Sequence, residues 1–176
     1  KYDRAKPDYA PIVPQLVKAE PQAVLFFGSG AAVVDGIAAL RAAGSRAQLV
    51  TLSNNASQGF IKQLGSNARG TIIMQVFPFE RSPKTPMVKE AQELAAAAGI
   101  AELTPAMLEG YAAAKVMVEG LRRAGAKPSR ERIRAALEGL QRVDIGGLEL
   151  SYGPADHTGL DYVDMSIVDA SGRFVR

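Results

Sequence analysis

The chain has 176 residues, 47% hydrophobic and 22% charged, with 21 basic against 18 acidic side chains and a formal charge of +3. That apolar content supports one good core or two smaller ones and excludes a disordered chain, while so small a charge gives no reason to expect nucleic acid or an anionic membrane as partner. There is no cysteine and one histidine, so a disulfide framework and a thiolate metal site are excluded, and no window reads as a membrane span or a leader peptide.

In chain order, Tyr9 to Ala19 reads as a helix with Ile12 and Leu16 inward and Val13 and Val17 as further candidates for that face, its start restricted by Pro11 and Pro14. Ala23 to Phe27 follows as an unbroken apolar run, the pattern of a central strand buried on both faces. Gly28-Ser29-Gly30 turns the chain into a helix whose Val33, Ile37 and Leu40 form one stripe and which Gly44 ends. The amides of Ser29, Gly30 and Ala31 then stand at a helix N-terminus, where carboxylate or phosphate is favoured. Tight turning alone is the competing reason for those glycines.

Gln48 to Leu52 is a second strand, and Ser53-Asn54-Asn55 is a polar loop that can cap a helix running through Leu64. Gly70 to Phe77 is a third strand. Strands alternating with helices predict a parallel sheet. At Phe77-Pro78-Phe79 the pattern breaks, and three helices follow without a convincing strand between them, starting at Thr85-Pro86, Thr104-Pro105 and Ser129. The middle one carries an apolar stripe of Tyr111, Ala114, Val118 and Leu121, and the third one of Ile133, Ala136, Leu137 and Leu140. Past Gly146-Gly147 the period becomes two: Leu148, Leu150 and Tyr152 alternate, then Val163, Met165 and Ile167, with a turn at Asp169 to Gly172.

Three chemistries can be written on these residues and each meets an obstacle. A nucleophile elbow around Ser29 needs glycine where Phe27 and Ala31 stand, and a triad with His157 has no supporting spacing. A dinucleotide fingerprint needs glycine at Val33. Arg122, Arg123, Lys127, Arg130, Arg132 and Arg134 straddle two helices as in a DNA-binding motif, but Glu119, Glu131 and Glu138 are interleaved, the pattern of a solvated face. No carboxylate spacing resembles a calcium loop, and no metal or cofactor is expected.

The ordered segments PQAVLFFGSG, ALRAAG, LEGYAAAKVMVEGLRRAG, IRAALEGL and GGLELSYGPADHTG resemble the type I periplasmic binding proteins of branched-chain amino-acid ABC transporters. The resemblance covers essentially the whole chain but matches about the C-terminal half of such a protein. It implies an α/β fold with one lobe nearly complete and part of a second: residues 1–78 in the ligand-binding lobe, 79–160 in the other, and 161–176 returning to the first. It further implies a non-enzymatic, periplasmic or extracytoplasmic protein that closes by hinge motion on a small solute, an amino acid or organic acid, and hands it to a membrane permease.

By the same likeness the ligand-binding positions are Gly28, Ser29 and Gly30 after one strand and Ser53, Asn54 and Asn55 after the next. Amino-acid binders of the family commonly place an acid after that second strand, where this chain has Ser53-Asn54-Asn55, which shifts the expected solute toward a carboxylate or amide. A ligand-sensing receptor domain of the same fold and a serine hydrolase using Ser29 are the alternatives. As a fragment the chain would leave its helical stripes unpartnered, so self-association is expected.

Overall fold

The computed structural model describes residues 7–176. The chain forms two compact units, one from Lys1–Gln75 with Asp164–Arg176 and one from Val76–Val163; residues 1–6 of the first, which also open the expected 1–78 lobe, lie outside the described residues.

In the first unit a short helix α1 (Val13–Lys18) precedes strand β1 (Ala23–Phe26), helix α2 (Gly30–Ala42), strand β2 (Gln48–Thr51), helix α3 (Gln58–Leu64) and strand β3 (Ile72–Gln75). Proline sets where α1 begins. Residues 10–12 wind only as a turn, and Pro14 falls in the first helical turn, where its missing N–H costs nothing. That shortens the expected helix and turns Val13 inward, leaving Ile12 46% exposed. On α2 the expected stripe of Val33, Ile37 and Leu40 is buried. The cap of α3 is Ser57, whose hydroxyl accepts from the Phe60 amide at 3.2 Å, rather than the Ser53–Asn55 loop.

β1 and β2 pair in parallel with Phe26 opposite Thr51, and β2 and β3 pair in parallel with Thr51 opposite Ile73. Two later strands extend this sheet beyond β3, the first of them antiparallel to it, and are placed below in chain order.

One expectation is overturned here: β1 is an edge strand, not a central one. The sheet order begins at β1, Leu25 is 56% exposed and Phe27 73% exposed. The apolar run has two faces with different fates. Val24 and Phe26 pack with α2 and α3 onto a core containing Leu49, Ile61 and Ile73, while Leu25 points to the face that the described helices leave uncovered.

The second unit holds α4 (Pro86–Ala97), α5 (Pro105–Ala124) and α6 (Arg130–Glu138), then β4 (Val143–Asp144), β5 (Glu149–Gly153) and β6 (Asp156–Gly159), which pair antiparallel in that order. Thr104 and Ser129 cap their helices by accepting from the amides of Met107 and Arg132, both at 3.3 Å; Thr85 makes no such bond. The buried face of α5 is Leu108, Ala112 and Gly120, so the expected stripe is corrected: Ala114, Val118 and Leu121 are exposed and Tyr111 is half-buried. A glycine explains the shift. A Cβ on Gly120 would lie 2.7 Å from Leu137 Cδ2, so it is the missing side chain that lets α6 close onto α5. Counting apolar side chains cannot detect that.

The chain then returns to the first unit as β7 (Asp164–Val168) and β8 (Phe174–Val175), completing the order β1-β2-β3-β7-β8. The apolar alternation of the tail is not the buried side of its strand. Ser166 and Val168 are buried, whereas Val163, Met165 and Ile167 are exposed on the uncovered face of the sheet.

The Gly146-Gly147 turn is built for contact. Both residues have positive φ, 112° and 88°, and a Cβ on Gly146 would stand 2.9 Å from the Met87 amide nitrogen, where the turn docks on the start of α4. The Asp144 carboxylate accepts from the Gly146 and Gly147 amides at 2.8 and 2.6 Å. Those two donors hold its pKa below the ordinary value.

Replacing Gly146 by Ala should therefore lower stability by about 2 kcal/mol or more in urea denaturation, because both φ and the Met87 backbone oppose it. Gly110→Ala in α5, where a Cβ meets nothing within 4 Å, should instead raise stability by roughly 0.5–1 kcal/mol. Since the folded pKa of Asp144 lies below its unfolded one, its contribution is complete above the unfolded value and is lost as pH falls through the folded one. Denaturation midpoints measured across acid pH should accordingly fall less steeply in Asp144→Asn than in the native chain.

Candidate functional site

Parallel strands bring their carboxyl ends to the same edge of the sheet, where α/β folds bind ligands. With Phe26 opposite Thr51, the turn after β1 and the turn after β2 are neighbours. The first is Phe27 to Gly30; the second is the short helical turn Ser53–Asn55. Neither carries a charged residue.

The two turns are tied by one side chain. Asn55, 1% exposed, donates from Nδ2 to the Gly28 carbonyl at 3.0 Å and to Thr51 Oγ1 at 2.8 Å, while its Oδ1 accepts from the Gly30 amide at 3.0 Å. Thr51, equally buried, donates in turn to the Phe26 carbonyl at 3.2 Å. At the surface Asn54 Nδ2 donates to the same Gly28 carbonyl at 3.2 Å. Four hydrogen bonds thus tie the buried side chains of Asn55 and Thr51 to each other and to the backbone at the end of β1 and in the turn after it.

These bonds leave the six expected residues in different surroundings. The Gly30 amide is committed to Asn55, and Asn55 itself is buried, so these two build the turn. Gly30 also has a φ of 55° and open space where a Cβ would be, which leaves its outer side clear for approach. Ser29 is exposed, sits at the N-cap of α2 with extended backbone (φ −141°, ψ 152°) and makes no side-chain capping bond. Ser53 is half-buried and Asn54 exposed. Among the described residues the hydroxyls of Ser29, at the positive end of the α2 dipole, and of Ser53 have no hydrogen-bond partner, so both are able to bond a carboxylate or an amide.

Two residues of this region escaped the sequence reading. Thr51 carried a signal, as a hydroxyl facing the core from within an apolar strand. Phe27 did not, since nothing in the apolar run marks its ring as exposed. A hollow of about 190 Å³ lies on the other side of Gly28, against Tyr9, Ile12, Leu25 and Phe27, and does not reach Ser29 or Ser53. His157 stands on β6 of the second unit beside Glu138, 3.2 Å from its Oε1. Among the described residues no group of three or more His, Cys, Asp or Glu could hold a metal ion, and no helix is long and apolar enough to cross a membrane.

Loss of the Asn55 bracket should be felt by the whole unit. Asn55→Ala removes three hydrogen bonds and takes from the buried Thr51 oxygen the N–H it accepts, leaving only its bond to the Phe26 carbonyl; it should cost about 2–3 kcal/mol in urea denaturation, whereas Asn54→Ala should stay within about 0.5 kcal/mol of the native chain.

Comparison with known proteins places this geometry. The family model described as periplasmic binding protein matches residues 1–173. Among solved structures, a substrate-binding periplasmic protein from Ralstonia solanacearum is 30% identical over 96% of this chain and 49% of its own, with a TM-score of 0.79. An extracellular ligand-binding receptor from Verminephrobacter eiseniae is 30% identical over 99% of this chain and 49% of its own, with a TM-score of 0.80. A possible leucine/isoleucine/valine-binding protein from Rhodopirellula baltica is 27% identical over 93% of this chain and 46% of its own, with a TM-score of 0.81. No curated protein matches. The chain spans about half the length of these solved structures. With its helix-flanked sheet, it belongs to the periplasmic binding protein family and has the type I fold of that family.

Proposed function

We propose that the chain is part of the solute-binding component of an ABC importer, working outside the cytoplasm, and that the two bracketed turns form a wall of its solute site. The observation that carries this reading is the pair of neutral, hydroxyl-bearing turns held at one spacing by buried Asn55. Ser29, Ser53 and Asn54 are the contacting side chains, the α2 N-terminus attracts the negative end of the solute, and Gly28, Gly30 and Asn55 give the wall its shape. Capture by hinge closure and delivery to a membrane permease belong to the same reading, as the likeness to the family implies; chemistry on the solute does not.

The wall also selects. It offers hydroxyls, amides and backbone donors but no carboxylate to face an ammonium, and leaving one partner of a buried ion pair without the other costs roughly 3–5 kcal/mol. A carboxylate or amide without an ammonium is the favoured solute class. A ligand-sensing role on the same fold is the second reading, favoured by the receptor named among the similar structures.

Calorimetry of the native polypeptide with leucine, isocaproate and isocaproamide tests this directly, because the three share one aliphatic tail. Isocaproate or isocaproamide should bind more tightly than leucine, and Ser29→Ala should weaken isocaproate about tenfold, the loss of one hydrogen bond to a charged group. Leucine binding more tightly than both would contradict the solute class, and unchanged binding in Ser29→Ala would contradict the site.

A further inference from the structure

The second unit contains a groove of about 420 Å³ that the reading above does not use. Its volume falls within the range of small-molecule sites, roughly 300–1,000 Å³. One wall is a single face of α6, where Ile133 and Leu137 stand one turn apart and Arg130 and Arg134 border them. Val116 of α5 and Tyr152 of β5 complete an apolar floor.

That floor is fixed before any ligand arrives. Leu137 is seated on Gly120 of α5, and the Tyr152 ring lies against Gly159, where a Cβ would be 2.4 Å from its Cε1. The Tyr152 amide donates to the Leu140 carbonyl at 2.8 Å, and Gln141 Nε2 donates to the Tyr152 carbonyl at 2.6 Å, so the hairpin is pinned to the end of α6.

Charge distinguishes the two ends of the groove. Glu138 Oε1 accepts from Arg134 Nε at 2.7 Å and lies 3.2 Å from His157 Nε2, so the one carboxylate at the rim is already shared between two donors. Arg130, exposed in the first turn of α6, has no ion pair among the described residues. Two guanidiniums against one carboxylate leave one positive charge in excess, located at the Arg130 end. An apolar trough with a cation at one mouth is complementary to an amphipathic anion.

We propose that this groove binds a medium-chain aliphatic carboxylate, with its tail on Val116, Ile133 and Leu137 and its carboxylate at Arg130. All of its lining residues belong to the second unit, and the assignment holds whether or not the Ser29 wall binds solute.

Decanoate, decanol and decyltrimethylammonium, each below its micelle-forming concentration, are titrated by calorimetry into the native chain and into Arg130→Gln, Val116→Trp and Ser29→Ala. Decanoate should bind at least tenfold more tightly than decanol or the cation. Arg130→Gln, a surface change that leaves the fold intact, should erase that preference; Val116→Trp, checked for folding by circular dichroism, should weaken decanoate and decanol alike; Ser29→Ala should leave decanoate unaffected. Decanoate binding no more tightly than decanol, equal decanoate affinity in Arg130→Gln and the native chain, or loss of binding in Ser29→Ala alone would each overturn the assignment.

Discussion

A buried carboxamide sets the geometry on which the candidate site depends. Two parallel strands fix the spacing of their own backbones, but the turns that follow them have no sheet partners and would otherwise sample many arrangements. Asn55 removes that freedom by spending both of its N–H groups and its oxygen on the opposite turn and on Thr51, whose hydroxyl continues the chain to Phe26. A fully satisfied polar network of this kind in a buried setting is rigid, and breaking any member exposes the others to the cost of an unmet hydrogen bond. In the proposed site the hydroxyls of Ser29 and Ser53 inherit that rigidity, which would reduce the ordering cost of binding.

The same economy of space recurs through both units, where missing side chains position neighbours. Gly36 of α2 admits the rings of Tyr9 and Phe26, to which a Cβ would come within 2.8 and 2.9 Å, so the strand and the N-terminal segment meet over the helix. Gly120 admits Leu137, and Gly146 admits the backbone of Met87. The first unit is nevertheless lopsided. One face of its sheet is a packed core, and the other presents Leu25, Met165 and Ile167 to solvent, beside an edge strand with no described partner.

Periodicity and capping residues made the helices legible: Val33, Ile37 and Leu40 are buried as their spacing requires, and Thr104 and Ser129 cap where they stand. The parallel pairing of three strands followed from their alternation with helices. What periodicity could not carry was the sense of burial. Ala23–Phe26 and Asp164–Val168 are strands, but which side of each is covered depends on which elements pack on the sheet, and apolar residues on both sides hide the answer. On α5, a glycine at the contact displaced the apparent stripe. The six loop positions were grouped by the likeness to the family, and the division between Asn55, which braces, and Ser29, Ser53 and Asn54, which remain exposed or half-exposed, rests on side-chain directions that no spacing encodes.

The chain belongs to the periplasmic binding protein family, and the chemistry of the proposed site rests on this chain's own residues. Its neutrality is the property with consequences, since a wall of hydroxyls and amides beside a helix N-terminus accepts an anion or an amide more readily than an ammonium. A crystal structure of the native polypeptide with isocaproate bound tests this most directly. The expected result is a carboxylate oxygen within hydrogen-bonding distance of Ser29 Oγ or Ser53 Oγ, with the Asn55 bracket intact; a solute seated away from both turns, or an Asn55 swung out to hold it, would contradict the central claim.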